Sequence, residues 1–98
     1  LDALFAGFLT SPCIRHLGIE RAEQLPDGAV RAVMPLRAEH ERGIGTNQFH
    51  GGPIAAFIDT VGDLAVGVFA GGGVPTMNIR IDYLKPAFGP ELIATARV

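Results

Sequence analysis

The sequence predicts a single α+β domain in which one long helix lies against antiparallel strands, and three observations predict it. Residues 53–70 are apolar almost all round, so a helix there has no solvated face and needs cover on most sides. Residues 29–36 and 76–83 alternate apolar and polar side chains in the period of two that marks a strand with one buried face. Around these runs stand Pro26-Asp27-Gly28, Gly71-Gly72-Gly73 and Gly89-Pro90, the turn chemistry that folds strands back onto a helix.

Taken in order, Leu1, Leu4, Phe5, Phe8 and Leu9 recur at helical spacing until Thr10-Ser11-Pro12 stops the pattern, which predicts a short amphipathic helix. Residues 17–23 are a weaker strand candidate. With the turn at Pro26-Asp27-Gly28 they pair with residues 29–36 as a hairpin, Val30, Ala32, Met34 and Leu36 on one side. Residues 37–49 are polar and aperiodic, with His40, Glu41, Arg42, Gly43 and Gly45 clustered, and read as a surface loop. The helix over 53–70 spans about 27 Å, with Pro53 in its first turn and the glycine triplet ending it. Met77, Ile79, Ile81 and Tyr83 then form the apolar face of a strand, and Leu92, Ala94, Ala96 and Val98 that of another. The last strand runs to the final residue without a neighbour in sequence, which predicts that the natural protein continues and that further C-terminal strands are missing here.

Composition narrows the function classes. Ninety-eight residues form one domain over 1–98, and at 48% hydrophobic and 18% charged some apolar surface is expected in a subunit interface. A net charge of −2 gives no general attraction to nucleic acid or anionic membrane, though local basic residues can hold one anionic ligand. Cys13 is the only cysteine, which excludes an internal disulfide and a multi-cysteine metal site and points to a reducing compartment, the cytoplasm. Residues 1–9 lack the basic segment of a signal peptide, and the apolar run after Pro53 carries Asp59 and Asp63, charges that suit a core helix and not a membrane span.

Two features can carry chemistry. At 100° per residue Gly52, Ala56, Asp59, Asp63, Gly67 and Ala70 form one stripe of the long helix, all small or acidic. Either the stripe admits another backbone and its aspartates accept structural hydrogen bonds, or Asp59 lines a ligand cleft where its carboxylate attacks a carbonyl or takes a proton from water. Asp63, one turn on, is expected in a solvated part of the groove or paired with a basic residue. His50-Gly51-Gly52 precedes the helix, where backbone N–H groups lack intrahelical acceptors. It is either a glycine-rich turn packed by a histidine or a donor site for a carbonyl oxygen that gains charge during acyl transfer. His50 and Asp59 are nine residues apart, roughly 13 Å along a helix, so one chain cannot bring both to one carbonyl. Two helices laid antiparallel across a two-fold axis can.

The run Asn47-Gln48-Phe49-His50-Gly51-Gly52-Pro53-Ile54-Ala55-Ala56-Phe57-Ile58-Asp59-Thr60, with Pro75-Thr76, Ile81-Asp82-Tyr83-Leu84-Lys85-Pro86-Ala87 and Leu17-Gly18-Ile19, resembles the hot-dog-fold acyl-coenzyme A thioesterases of the phenylacetate-degradation type. The resemblance implies a long central helix wrapped by an antiparallel sheet, homodimers that often pair into tetramers, and a metal-free, cofactor-free site at the dimer interface with coenzyme A as part of the substrate. It casts Asp59 as nucleophile or general base, the Gly51 N–H as the group polarising the thioester carbonyl, His50 as shaping the helix start, and Thr76 as positioning the water or carboxylate. Gly52, Asn47 and Asp63 would line the substrate, and Arg80 and Lys85 would contact coenzyme A phosphates. Phe49, Phe57 and Met77 are expected as pocket walls. This chain departs from the pattern at Ile44, six residues before His50, where many members carry an asparagine that assists at the carbonyl. Asn47 is the substitute in reach. Two other readings stay open: a hot-dog dehydratase or hydratase, and a non-catalytic acyl-binding module that Ile44 favours.

Overall fold

A computed structural model describes all of residues 1–98. Its centre is β2 (Val30–Pro35), in which Val30, Ala32 and Met34 are fully buried while Arg31 faces solvent. β1 (Glu20–Gln24) and β3 (Glu91–Ala96) flank it in an antiparallel sheet of order β1-β2-β3. The register Val30↔Ala96, Ala32↔Ala94 and Met34↔Leu92 puts the predicted apolar faces of both strands on the same side of the sheet. The predicted turn joins β1 to β2. Asp27 accepts the Ala29 N–H at 3.0 Å and pairs with Arg97 at 3.1 Å, contacts that hold its carboxyl below the usual carboxylate range.

The long helix α3 (Gly51–Ala70) lies across that apolar face, burying Phe57, Val61, Leu64 and Ala65 in one core with Val30, Ala32 and Met34. Complete burial of a Phe, Leu or Met side chain contributes roughly 2–3 kcal/mol each, so Phe57, Leu64 and Met34 anchor the helix to the sheet. By length and apolarity alone α3 would pass for a membrane span, but one face is packed on β2 and β3 as a core helix. α3 begins two residues before Pro53 because His50 caps it, and it ends at Gly71 in the left-handed conformation.

Three local features depart from the sequence expectations. Beyond α1 (Asp2–Phe8), proline opens a second helix, α2 (Pro12–Leu17), so the strand starts at Glu20 and not at Leu17. At six residues α2 is too short to show a period; Pro12 at its first turn and Gly18 at φ 75 are its only marks. A side chain at Gly18 would be strained by that φ and would also oblige the Arg37 guanidinium to shift. Within the long helix, Gly67 serves α1: a Cβ there would lie 2.7 Å from Leu4. Part of the small stripe therefore admits a neighbour of the same chain. Finally, residues 76–83, expected as a strand, form none: they pass α3 without regular secondary structure, join no sheet and make no backbone–backbone hydrogen bond. Their alternation is that of a strand, but no backbone within this chain lies alongside to complete a ladder. Met77, Ile79 and Tyr83 remain exposed.

Candidate active site

The start of α3 is held from two sides. The Phe49 N–H donates to the Ala87 carbonyl at 2.8 Å, the His50 N–H to the His40 carbonyl at 2.7 Å, and short bridges join Glu41 to Phe49 and Gln48 to Phe88. His50 sits at the cap in an extended conformation, and its Nδ1 accepts the Gly52 N–H at 3.3 Å. Tyr83 donates its hydroxyl to the Gly51 carbonyl at 2.9 Å. The Gly51 N–H is left without an acceptor in the chain. Gly51 borders a cavity of about 470 Å³ that is also lined by Phe49, Tyr83, Arg42 and Lys85. Helix polarity and two cations make this a place where developing negative charge is favoured.

Asp59 lies in a different depression. An open groove of about 600 Å³ runs between α3 and residues 74–79, lined by Asp59, Gly62, Asp63, Thr76 and Met77. The Thr76 hydroxyl donates to Asp59 Oδ1 at 2.5 Å and lies 3.3 Å from Asp63 Oδ1. One hydroxyl hydrogen serves one carboxylate at a time, and the shorter distance assigns it to Asp59. Burial, then the negative charge of Asp59, pushes the Asp63 carboxyl above the usual range, while Thr76 pulls it back. Neither carboxylate has an ion-pair partner, so Asp63 occupies the groove and is not salt-bridged. An acceptor oriented by a hydroxyl and unclaimed by any cation is suited to taking a proton or attacking an electrophile.

Gly51 and Asp59 are eight residues apart on one helix, about 12 Å along its axis, and they border separate cavities. The residues expected to act together thus fall into two groups: His50, Gly51, Gly52 and Lys85 at the helix start, Asp59, Asp63 and Thr76 at its middle. Three expected residues lie elsewhere. Asn47 stands at φ 59, gives its N–H to Glu41 and sets its side-chain oxygen against Gly89, away from the Gly51 cavity. Arg80 is exposed and 3.5 Å from Asp82. Phe57 is 1% exposed within the core and walls neither cavity, because its helical position faces the sheet.

Sequence reasoning also passed over three residues. Tyr83 was legible as a member of the Tyr-Leu-Lys-Pro run but not as a partner of Gly51. Arg42 was read as loop charge, yet it lines the cavity beside Lys85. His40, within a polar cluster that reads as surface, is 1% exposed, since its ring stacks on Phe49 with centroids 5.8 Å apart. No periodicity marks it.

Comparison with known proteins gives these geometries a family. Residues 47–98, which hold the whole of α3 and β3, match the Thioesterase superfamily. A Halobacterium salinarum protein named as an esterase is 38% identical over 93 residues, a match covering 87% of this chain and 58% of that protein. The chain thus spans less than two-thirds of that relative's length. A crystal structure of a thioesterase-superfamily protein superposes with a TM-score of 0.78 at 29% identity, covering 95% of this chain and 72% of that one. With its long helix packed on an antiparallel sheet and over half its length matching the family, this chain is a hot-dog-fold member of the thioesterase superfamily.

Proposed function

We propose that this chain is one subunit of a homodimeric acyl-coenzyme A thioesterase of the phenylacetate-degradation type, in which Asp59 of one subunit works opposite the Gly51 N–H of the other. The observation that carries the reading is the hydroxyl-oriented Asp59, without a salt-bridge partner in an open groove and separated along its own helix from an unclaimed amide donor. Two helices related by a two-fold axis bring those halves together, and the exposed Met77, Ile79 and Tyr83 beside α3 supply apolar surface for such an interface.

In the general-base route Asp59 takes a proton from water and the water oxygen bonds to the thioester carbonyl carbon. The carbonyl oxygen gains negative charge beside the Gly51 N–H, and collapse breaks the C–S bond, the thiolate taking up the proton. In the nucleophilic route the Asp59 carboxylate itself bonds to the carbonyl carbon, expels the thiolate and forms an anhydride that water hydrolyses. Both give one carboxylic acid and one thiol per water consumed. Coenzyme A enters only as part of the substrate. Lys85, on the helix-start cavity, is placed to meet its phosphates, whereas Arg80 must first leave Asp82. A cytoplasmic setting, and dimers pairing into tetramers, complete the proposal; the single cysteine and net charge of −2 suit it.

Thiol release from acyl-coenzyme A substrates by the full-length protein tests the reading. Asp59→Asn is expected to lower kcat at least about a thousandfold and to leave acyl-coenzyme A binding within a few-fold. Turnover within about tenfold of wild type would remove Asp59 from the chemistry. A second reading, a non-catalytic acyl-binding module, has Ile44 in its favour: the side chain is fully exposed where an amide would assist the carbonyl, and Asn47 is turned to Gly89. Binding without thiol release would decide for the module, and hydration of an enoyl substrate for a dehydratase.

A further inference from the structure

The buried ring of His40 has one polar atom used and one unused. Its Nδ1 accepts the Arg37 N–H at 3.1 Å, so an uncharged ring carries its hydrogen on Nε2. That Nε2 is buried and makes no hydrogen bond of good geometry, the Leu17 carbonyl being the one acceptor that still favours its hydrogen. A phenyl ring would stack on Phe49 equally well and leave no orphaned donor, so stacking alone does not explain an imidazole here. What a phenyl cannot do is accept the Arg37 N–H. That hydrogen bond reinforces the single 3-10 turn Ala38–His40, which the His40 N–H closes on the Arg37 carbonyl at 2.9 Å, and the turn aims the His40 carbonyl at the His50 N–H. His50 in turn caps α3 and precedes Gly51. One side chain is thereby tied to both residues ahead of the free amide, by the stack to Phe49 and through the backbone to His50.

We propose that His40 is the positioning residue of the helix start, fixing through Phe49 and His50 the direction in which the Gly51 N–H is presented. This inference rests on the reading of Gly51 as the carbonyl donor. It has a consequence in acid. Burial, reinforced by Arg37 on the same turn and His16 at the end of α2, holds the ring below the ordinary histidine range, against the opposing pull of the Leu17 carbonyl and Glu39. When the ring does take a proton, Nδ1 becomes a donor facing the Arg37 N–H, and the turn loses the side-chain bond that reinforces its backbone one.

Two variants separate the roles of the ring. In His40→Asn the amide oxygen can occupy the place of Nδ1 and keep the Arg37 N–H satisfied, while the stack is lost. In His40→Phe the stack is kept and the acceptor is lost. Amide hydrogen exchange at His50 reads the coupling directly and needs no substrate. In the full-length protein His40→Phe is expected to lower His50 protection at least about tenfold, and His40→Asn to hold it within about threefold of wild type. Protection in wild type is expected to fall with acid below the ordinary histidine range, and in His40→Asn to show no such step. In the thioesterase assay His40→Phe lowers kcat about tenfold with little change in KM, and His40→Asn restores it. A role confined to stability would change the melting temperature and leave kcat of the folded fraction alone. Should His40→Phe not fold, the acid step in wild type and its absence in His40→Asn carry the test. Unchanged His50 protection in the variants and across pH would overturn the inference. The expected protection changes in a protein that hydrolyses no thioester would uphold the coupling and overturn the proposed activity instead.

Discussion

Asp63 sits one helical turn from Asp59, partly buried and with no salt-bridge partner, Arg97 on the same groove being paired with Asp27, and the fold is weakened by keeping it ionised there. Its folded carboxyl titrates above the ordinary value of 3.8, so between that value and the raised one the folded chain holds a proton that the unfolded chain releases. The stabilising contribution is therefore complete below the ordinary value and lost as pH rises through the raised one. Asp63→Asn is expected to raise the melting temperature at pH 7 by a few degrees and to leave it nearly unchanged at pH 3, checked by thermal unfolding at both. A lower melting temperature at pH 7 would mean that the carboxylate contributes a favourable contact not seen beside Thr76. His40 has the opposite sign. Its folded value lies below the ordinary 6.5, so its contribution is present above that pH and lost as pH falls through the depressed value.

Among the elements, the hairpin and α3 were legible because period and turn chemistry agreed: Val30, Ala32 and Met34 alternate, Asp27-Gly28 turns, and the apolar helix needs the sheet they build. α2 was not legible, because six residues leave its existence to one proline and one glycine. Gly18→Ala tests how far that glycine matters. With φ at 75 and the Arg37 guanidinium over the site, the variant is expected to lose about 1–2 kcal/mol, read as a melting temperature lower by roughly 5–10 °C. No loss would mean that α2 ends without needing the left-handed residue. Residues 76–83 show a limit of another kind. Alternation reports that a segment is extended with one apolar side, but not whether the backbone beside it belongs to the same chain. The same limit applied to His40 and Phe49, whose burial comes from contacts between loop and helix start and leaves no periodic trace. The pairing of Thr76 with Asp59 was implied by the resemblance and by no periodicity, and it forms because the chain after Gly71 turns back along α3.

At the scale of the whole molecule, two cavities share one helix and neither holds both a carboxylate and the free amide. The proposed second copy, laid against the first, would account both for the exposed apolar side chains beside α3 and for the separation of the two groups of residues. Gly51→Pro removes the amide hydrogen at a first-turn position where proline is accepted, after a residue already extended, and its Cβ meets the Tyr83 ring only at 3.6 Å. Asp59→Asn removes the carboxylate at the other half. Each variant alone is expected to be inactive. The most direct test is to unfold an equal mixture of the two full-length variants, refold it and measure thiol release. If the site spans two subunits, half of the dimers are mixed and each holds one intact site, so about a quarter of wild-type activity returns. Mixed dimers that form and yet stay as inactive as the separate variants would contradict a site shared between subunits.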